Sequence, residues 1–202
     1  MSSKEKETKE IKVILLGDSG VGKSSIINRY INNEFNEHSE STLGSNFCVQ
    51  EIIKENIMYR LNIWDTSGQE RYHSITNLFL KGSNIIILVY AIDSRSSFEG
   101  LEYWYKTINE YLSGENHILA IVGNKSDLLD DEVVSEEEGK KFAKEKNAIF
   151  KLVSAKSFPE GIFQLFQTVL DELLKKNYID LTVQSIVIKK RTTRIKKKKK
   201  CC

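Results

Sequence analysis

The chain has 202 residues, 40% hydrophobic and 29% charged, an ordinary composition for one globular domain with a full core and an appended segment, and it carries no apolar run near the ~20 residues that cross a bilayer. Its net charge of +2 conceals a polarised layout: nine of the twelve residues from Lys189 to Lys200 are Lys or Arg, and without them 21 basic residues face 28 acidic ones, a body of net −7. An acidic body excludes a nucleic-acid-binding face on the fold itself and assigns any positively charged function to the C-terminal segment.

In chain order, the apolar run Ile11–Leu16 predicts a first strand and Lys23–Asn33 a helix. Phe47–Ile53 and Met58–Trp64 read as strands joined by a short polar stretch, which suits an antiparallel hairpin at one edge. A strand at Ile85–Tyr90, a helix at Ser97–Leu112, a strand at Ile118–Val122, a helix at Glu136–Lys146, a strand at Ile149–Val153 and a helix at Glu160–Lys175 follow. Continuous runs such as IIILVY and ILAIVG suit strands covered on both faces. The expectation is an α/β domain: a six-stranded, mostly parallel sheet with one antiparallel edge strand and helices on both faces. A flexible start over 1–8, a domain over 9–176 and a tail over 177–202 complete the division.

Between the first strand and the first helix stands Gly17-Asp18-Ser19-Gly20-Val21-Gly22-Lys23-Ser24, which fits G-x-x-x-x-G-K-S. Its glycines allow backbone N–H groups to turn inward around phosphate oxygens, and the following helix presents its positive dipole end. Ser19, Gly20, Val21, Gly22, Lys23, Ser24 and Ser25 are therefore the phosphate-side candidates. Lys23 suits the β- and γ-phosphates and the Ser24 hydroxyl suits Mg2+.

After the third strand, Asp65 stands where an acid can reach the Mg2+ shell, Gly68 where a backbone N–H can meet a γ-phosphate, and Gln69 where an amide can orient an attacking water. After the fifth strand comes Asn124-Lys125-Ser126-Asp127. A carboxylate at Asp127 accepts from N1–H and the 2-amino group of guanine, whereas adenine lacks the amine and offers an acceptor at N1. Sites built this way reject the wrong partner by ~10⁴-fold. Ser154-Ala155-Lys156, after the sixth strand, is a second candidate for the base side.

Taken together, SGVGKSS, STLG, WDTSGQERY and the N-K-S-D group resemble the Ras-like small GTPases, and within them the Rab family, over roughly residues 9–175. ESTLG and ERYHSI look most like the family's endosomal branch. The resemblance implies hydrolysis of GTP to GDP and phosphate with Mg2+, with Phe35 against the guanine ring and Thr42 on the metal when a γ-phosphate is present. It maps the family's effector surface to Phe47, Trp64 and Phe79. Expected partners are effectors, an exchange factor, a GTPase-activating protein, a prenylation escort and a GDP-dissociation inhibitor, for a monomeric switch without nucleic acid. The chain departs from the family at Ser67, at Leu78-Phe79-Leu80-Lys81-Gly82 and at Ala91, where aspartate is usual.

The basic tail ends in Cys201-Cys202, without a C-a-a-X box, and resembles Rab tails lipidated on both cysteines. The charged start MSSKEKETKE is unlike a secretory leader and Cys48 is a single internal cysteine, so the cytosol and the cytoplasmic face of an intracellular membrane, the endosome among them, are the expected places. His38, His73 and His117 have no metal-ligand spacing, Cys48 suits a small buried position, and Tyr103, Trp104 and Tyr105 fit one helix surface without a ligand. A kinase or ATPase is disfavoured by N-K-S-D, and a nucleotide-locked binding module by the presence of Gln69 and Thr42.

Overall fold

A computed structural model describes residues 8–37, 42, 45–68 and 79–176. The tail from 177 onward, with Cys201 and Cys202, and the catalytic candidate Gln69 lie outside the described residues. Six strands, β1 (Thr8–Leu16), β2 (Ser45–Lys54), β3 (Ile57–Thr66), β4 (Ile85–Ala91), β5 (Ile118–Asn124) and β6 (Ile149–Leu152), form one sheet in the order β2-β3-β1-β4-β5-β6. β2 runs antiparallel to β3 and every other pairing is parallel. The hairpin turns on Glu55 and Asn56, both at positive φ (50° and 65°), as a two-residue turn matched to strand twist requires. Thr8, expected in the flexible start, instead begins β1 opposite Met58, because β3 is long enough to extend the ladder to it.

Alternation along the central strands divides the interior into two cores. Val13, Leu15, Ile87, Val89, Ala120 and Val122 face α1 (Lys23–Asn32) and α4 (Pro159–Lys175). Ile14, Leu16, Ile86, Leu88, Tyr90 and Ile121 face α2 (Arg95–Tyr111) and α3 (Glu136–Glu145). β4 and β5 are buried along their whole length, in keeping with their unbroken apolar sequence. α2 starts two residues before its expected Ser97, because the Ser94 hydroxyl accepts from the Ser97 N–H and caps it. α3 is fixed by a capping box between Ser135 and Glu138. The aromatic triplet on α2 does not share a surface: Trp104 is 2% exposed and Tyr103 47%, since neighbouring helical residues point about 100° apart.

Tyr90 is fully buried, and among the described residues its hydroxyl has no hydrogen-bond partner. A Cβ at Gly139 would lie 2.5 Å from that oxygen, so the small residue on α3 is what admits it. Tyr90→Phe is expected to leave the fold intact and to raise thermal stability, by about 1 kcal/mol, since it removes an unsatisfied polar atom and little volume. A clear drop in the melting temperature would show that the hydroxyl has a partner.

Candidate nucleotide site

β1 hands directly into the phosphate loop, and α1 begins at Lys23 with Gly22 as its N-cap, at φ 95° and with no side-chain cap hydrogen bond. The first N–H groups of the helix are thus left to a ligand rather than to a side chain. A Cβ at Gly22 would lie 2.2 Å from the Asn124 amide nitrogen, so glycine is required there by contact as well as by conformation. A cavity of about 410 Å³ opens over this junction. Its wall takes Ser19, Gly20, Gly22, Lys23, Ser24 and Ser25 from the phosphate loop and α1, Thr42, Thr66 and Ser67 from around the end of β3, and Phe35, Asn124, Lys125, Asp127, Ala155 and Lys156 from three further segments.

The Lys23 ammonium is 4% exposed and donates to the carbonyls of Gly17 and Asp18 at 2.7 and 2.8 Å. Burial pulls its pKa down to about 8, against the opposing charges of Asp65 and Asp18. The hydroxyls of Ser24 and Thr42 lie 2.7 Å apart. Asp65 is 5% exposed with its Oδ1 unpartnered among the described residues. Burial pushes its carboxyl upward, opposed by a hydrogen bond from Ser24 and the charge of Lys23. Gly68, at φ 69°, packs on the loop so closely that a Cβ would lie 2.4 Å from the Lys23 nitrogen and 2.6 Å from the Gly17 oxygen.

At the far end, Asn124 ties the two halves together. Its amide donates to the Val21 carbonyl at 2.8 Å and accepts from the Ala155 N–H at 3.2 Å. Ser154, fully buried, donates to the Asp127 carboxylate and accepts from the Ser157 N–H at 2.8 Å. Phe35 packs against the first core at the cavity edge. Val21, Asp65, Gly68 and Ser154 are absent from the cavity wall and reach it through the wall residues they contact, whereas the other described candidates line it.

Sequence reasoning missed three supports of this end. Arg29 on α1 donates to the carbonyls of Ala155 and Lys156 at 2.8 and 3.2 Å. Glu37 pairs with Lys156 at 2.8 Å. Asp93 pairs with Lys125 at 3.1 Å, while Ala91, where the resembling family carries an acid, is buried in the first core. An acid two residues after Ala91 was the available signal for the last; the other two pairs lie over 100 residues apart and have none.

Phe47, Trp64 and Phe79 form a continuous aromatic row beside the cavity, with successive centroids 4.9 Å apart and Phe47 51% exposed. Of the discounted signals, Cys48 is half-buried with its thiol raised by burial, and His117 is half-buried with its ring against the Glu115 carbonyl. His38 and His73 lie outside the described residues. No group of three or more His, Cys, Asp or Glu able to hold a metal occurs among the described residues.

A cavity at the carboxyl ends of parallel strands, walled by a strand–G-x-x-x-x-G-K-S–helix junction, defines a P-loop nucleotide-binding domain. The Ras family model matches residues 12–175, and the chain belongs to the Ras family. It is 42% identical over 164 residues to the GTP-binding protein ypt3 of Schizosaccharomyces pombe, spanning 81% of this chain and 76% of the relative. It is 40% identical over 164 residues to the Ras-related protein RabC of Dictyostelium discoideum (80% and 83%) and 39% over 161 residues to Rab-31 of Mus musculus (80% and 82%). The chain is accordingly a small GTPase of the Rab type, an enzyme that hydrolyses GTP and serves vesicle trafficking.

The carboxylate held by Ser154 is the one expected from the N-K-S-D group to select the base. Asp127→Asn is expected to lower GDP affinity by at least 100-fold and to raise affinity for xanthosine diphosphate, whose 2-position carries oxygen instead of an amine. Calorimetric titration with both nucleotides checks this, and unchanged GDP binding would remove Asp127 from the base site.

Proposed function

We propose that this GTPase is a membrane-anchored GTP/GDP switch whose metal, water and anchor are supplied by the residues singled out above. The observation that carries the reading is the convergence of two hydroxyls 2.7 Å apart, Ser24 and Thr42, with a buried oxygen of Asp65 that has no partner among the described residues and feels the charge of the Lys23 ammonium. Hard oxygen donors of this kind fit Mg2+, which when bound supplies charge neutralisation at the β- and γ-phosphates. Lys23 neutralises the same oxygens, and the uncapped N–H groups of α1 bind them. Phe35 and Lys125 flank the purine, Asp127 reads its edge, and Asn124, Ser154, Ala155 and Lys156 hold that edge in place.

Gln69 is assigned the attacking water. The water oxygen bonds to the γ-phosphorus as the bond to the β–γ bridging oxygen breaks, giving GDP, phosphate and a proton. Loss of the γ-phosphate removes the ligand that holds Thr42 and Gly68 toward the loop, and the aromatic row of Phe47, Trp64 and Phe79 then loses its effector-binding form. The sequence offers no arginine at a recognisable finger position, so an activating protein supplies one, and an exchange factor reloads the site. Gln69→Leu is expected to leave GTP binding within a few-fold of normal and to reduce hydrolysis at least tenfold, with and without an activating protein. Phosphate release measured in single turnover checks it, and an unchanged rate would assign the water to another group.

The anchor is assigned to Cys201 and Cys202, each carrying a prenyl group, on the cytoplasmic face of an intracellular membrane, the endosome by the likeness of ESTLG and ERYHSI. A body of net −7 is repelled by an anionic leaflet, and the nine tail cations offset this only weakly in salt. Lipid burial adds about 0.8 kcal/mol per CH₂ and holds stably with two chains. An escort for prenylation and a GDP-dissociation inhibitor are the partners such a tail requires in the cytosol. Cys201→Ser with Cys202→Ser is expected to be soluble while binding and hydrolysing GTP normally. A double variant that still sediments with membranes after a high-salt wash would overturn the assignment.

A further inference from the structure

Trp104 packs in the second core with 2% of its surface exposed, yet its indole N–H leaves that core to donate to the Asp18 carboxylate at 2.9 Å. Asp18 is the second residue of the phosphate loop, and it is absent from the cavity wall. One turn earlier on α2, Gly100 makes room for the same carboxylate: a Cβ there would lie 2.9 and 3.1 Å from its two oxygens. The main chain of Asp18 faces the other way. Its carbonyl accepts from Lys23 at 2.8 Å, and Gly68 packs against it, with a Cβ position 2.6 Å from the carbonyl carbon. One residue thus joins α2 through its side chain to the loop lysine and the segment after β3 through its backbone.

A carboxylate in a phosphate-binding loop works against the anion it helps to hold, so its presence calls for a compensating gain. A charge-assisted hydrogen bond to a buried donor is such a gain, and leaving the indole N–H unmade costs its desolvation. Resting on the reading of the cavity as a GTP/GDP site, we infer that Trp104 and Gly100 position Asp18, and that this brace on the outer side of the phosphate loop sets how long the nucleotide stays bound.

The test follows release of a fluorescent GDP analogue from the full chain in Mg2+ after addition of excess GDP. Asp18→Ala and Trp104→Phe are each expected to speed release about tenfold, the effect of one charge-assisted hydrogen bond. The double variant is expected to be no more than about twofold faster than either, because both changes remove the same bond. Asp18→Asn keeps an oxygen that accepts the indole proton and is expected within about threefold of the unmodified protein. General loosening of the fold gives additive effects and no recovery with asparagine. Release from Asp18→Ala within twofold of the unmodified protein, additive rates in the double variant, or Asp18→Asn as fast as Asp18→Ala overturns the inference. An unmodified protein that does not retain the GDP analogue overturns the reading of the cavity itself, and this inference with it.

Discussion

The site is organised around an ammonium group held in a place that charge ordinarily avoids. Lys23 is almost wholly buried, and its contacts are two carbonyl oxygens of its own loop rather than the carboxylate of an ion pair. Its depressed pKa shows that burial outweighs the attraction of Asp65 and Asp18. Such a group is tolerated because β1 and α1, each anchored in a core, leave the loop between them little freedom to carry the charge out to water. An anion bound in the cavity would meet this charge where the low local dielectric makes the attraction effective. Burial of this charge and its attraction for an anion are therefore one property of the fold seen from two sides.

The same constraint explains why the base side is tied so firmly to the phosphate side. A loop that holds a buried charge transmits any looseness to the residues packed against it. Asn124 closes the gap by bonding to Val21 and to Ala155 at once, and Arg29 fastens the Ala155–Lys156 backbone to α1. Ser154 turns the Asp127 carboxylate while itself fixed by the Ser157 N–H. A carboxylate held in this way keeps one orientation at the cavity wall.

Every strand and helix expected from periodicity is present among the described residues, and their ends differ by three residues or fewer. This was legible because β4 and β5 carry uninterrupted apolar runs and because the phosphate loop fixes a strand before it and a helix after it. The hairpin was legible only as a short polar joint, since nothing in Glu55-Asn56 names its turn type without backbone angles. At the site, residues inside contiguous motifs were found, and those acting across the chain were not. Arg29, Glu37 and Asp93 reach their partners through the packing of α1, β4, β5 and the loop after β6, which no local spacing encodes. Trp104 failed in the opposite direction: a run of three aromatics reads as one surface, although helical geometry turns its middle member inward.

The antiparallel edge explains how a change at the buried Asp65 can reach the outside of the protein. In the β2–β3 register Asn46 stands opposite Asp65 and Phe47 opposite Trp64, so the buried carboxylate and the exposed aromatic row occupy adjacent rungs. β3 is held on its other side by β1 up to the pair Leu15–Asp65, and Thr66 bonds to the Leu15 carbonyl at 2.8 Å. Beyond that rung the chain leaves the sheet for Ser67 and Gly68, which face the cavity and the loop. A rearrangement starting at Gly68 therefore meets a firm ladder on the β1 side and a two-strand edge on the other, where a ladder gives way more easily. The edge strand is the side of the ladder with fewer restraints, and Phe47 stands exposed upon it.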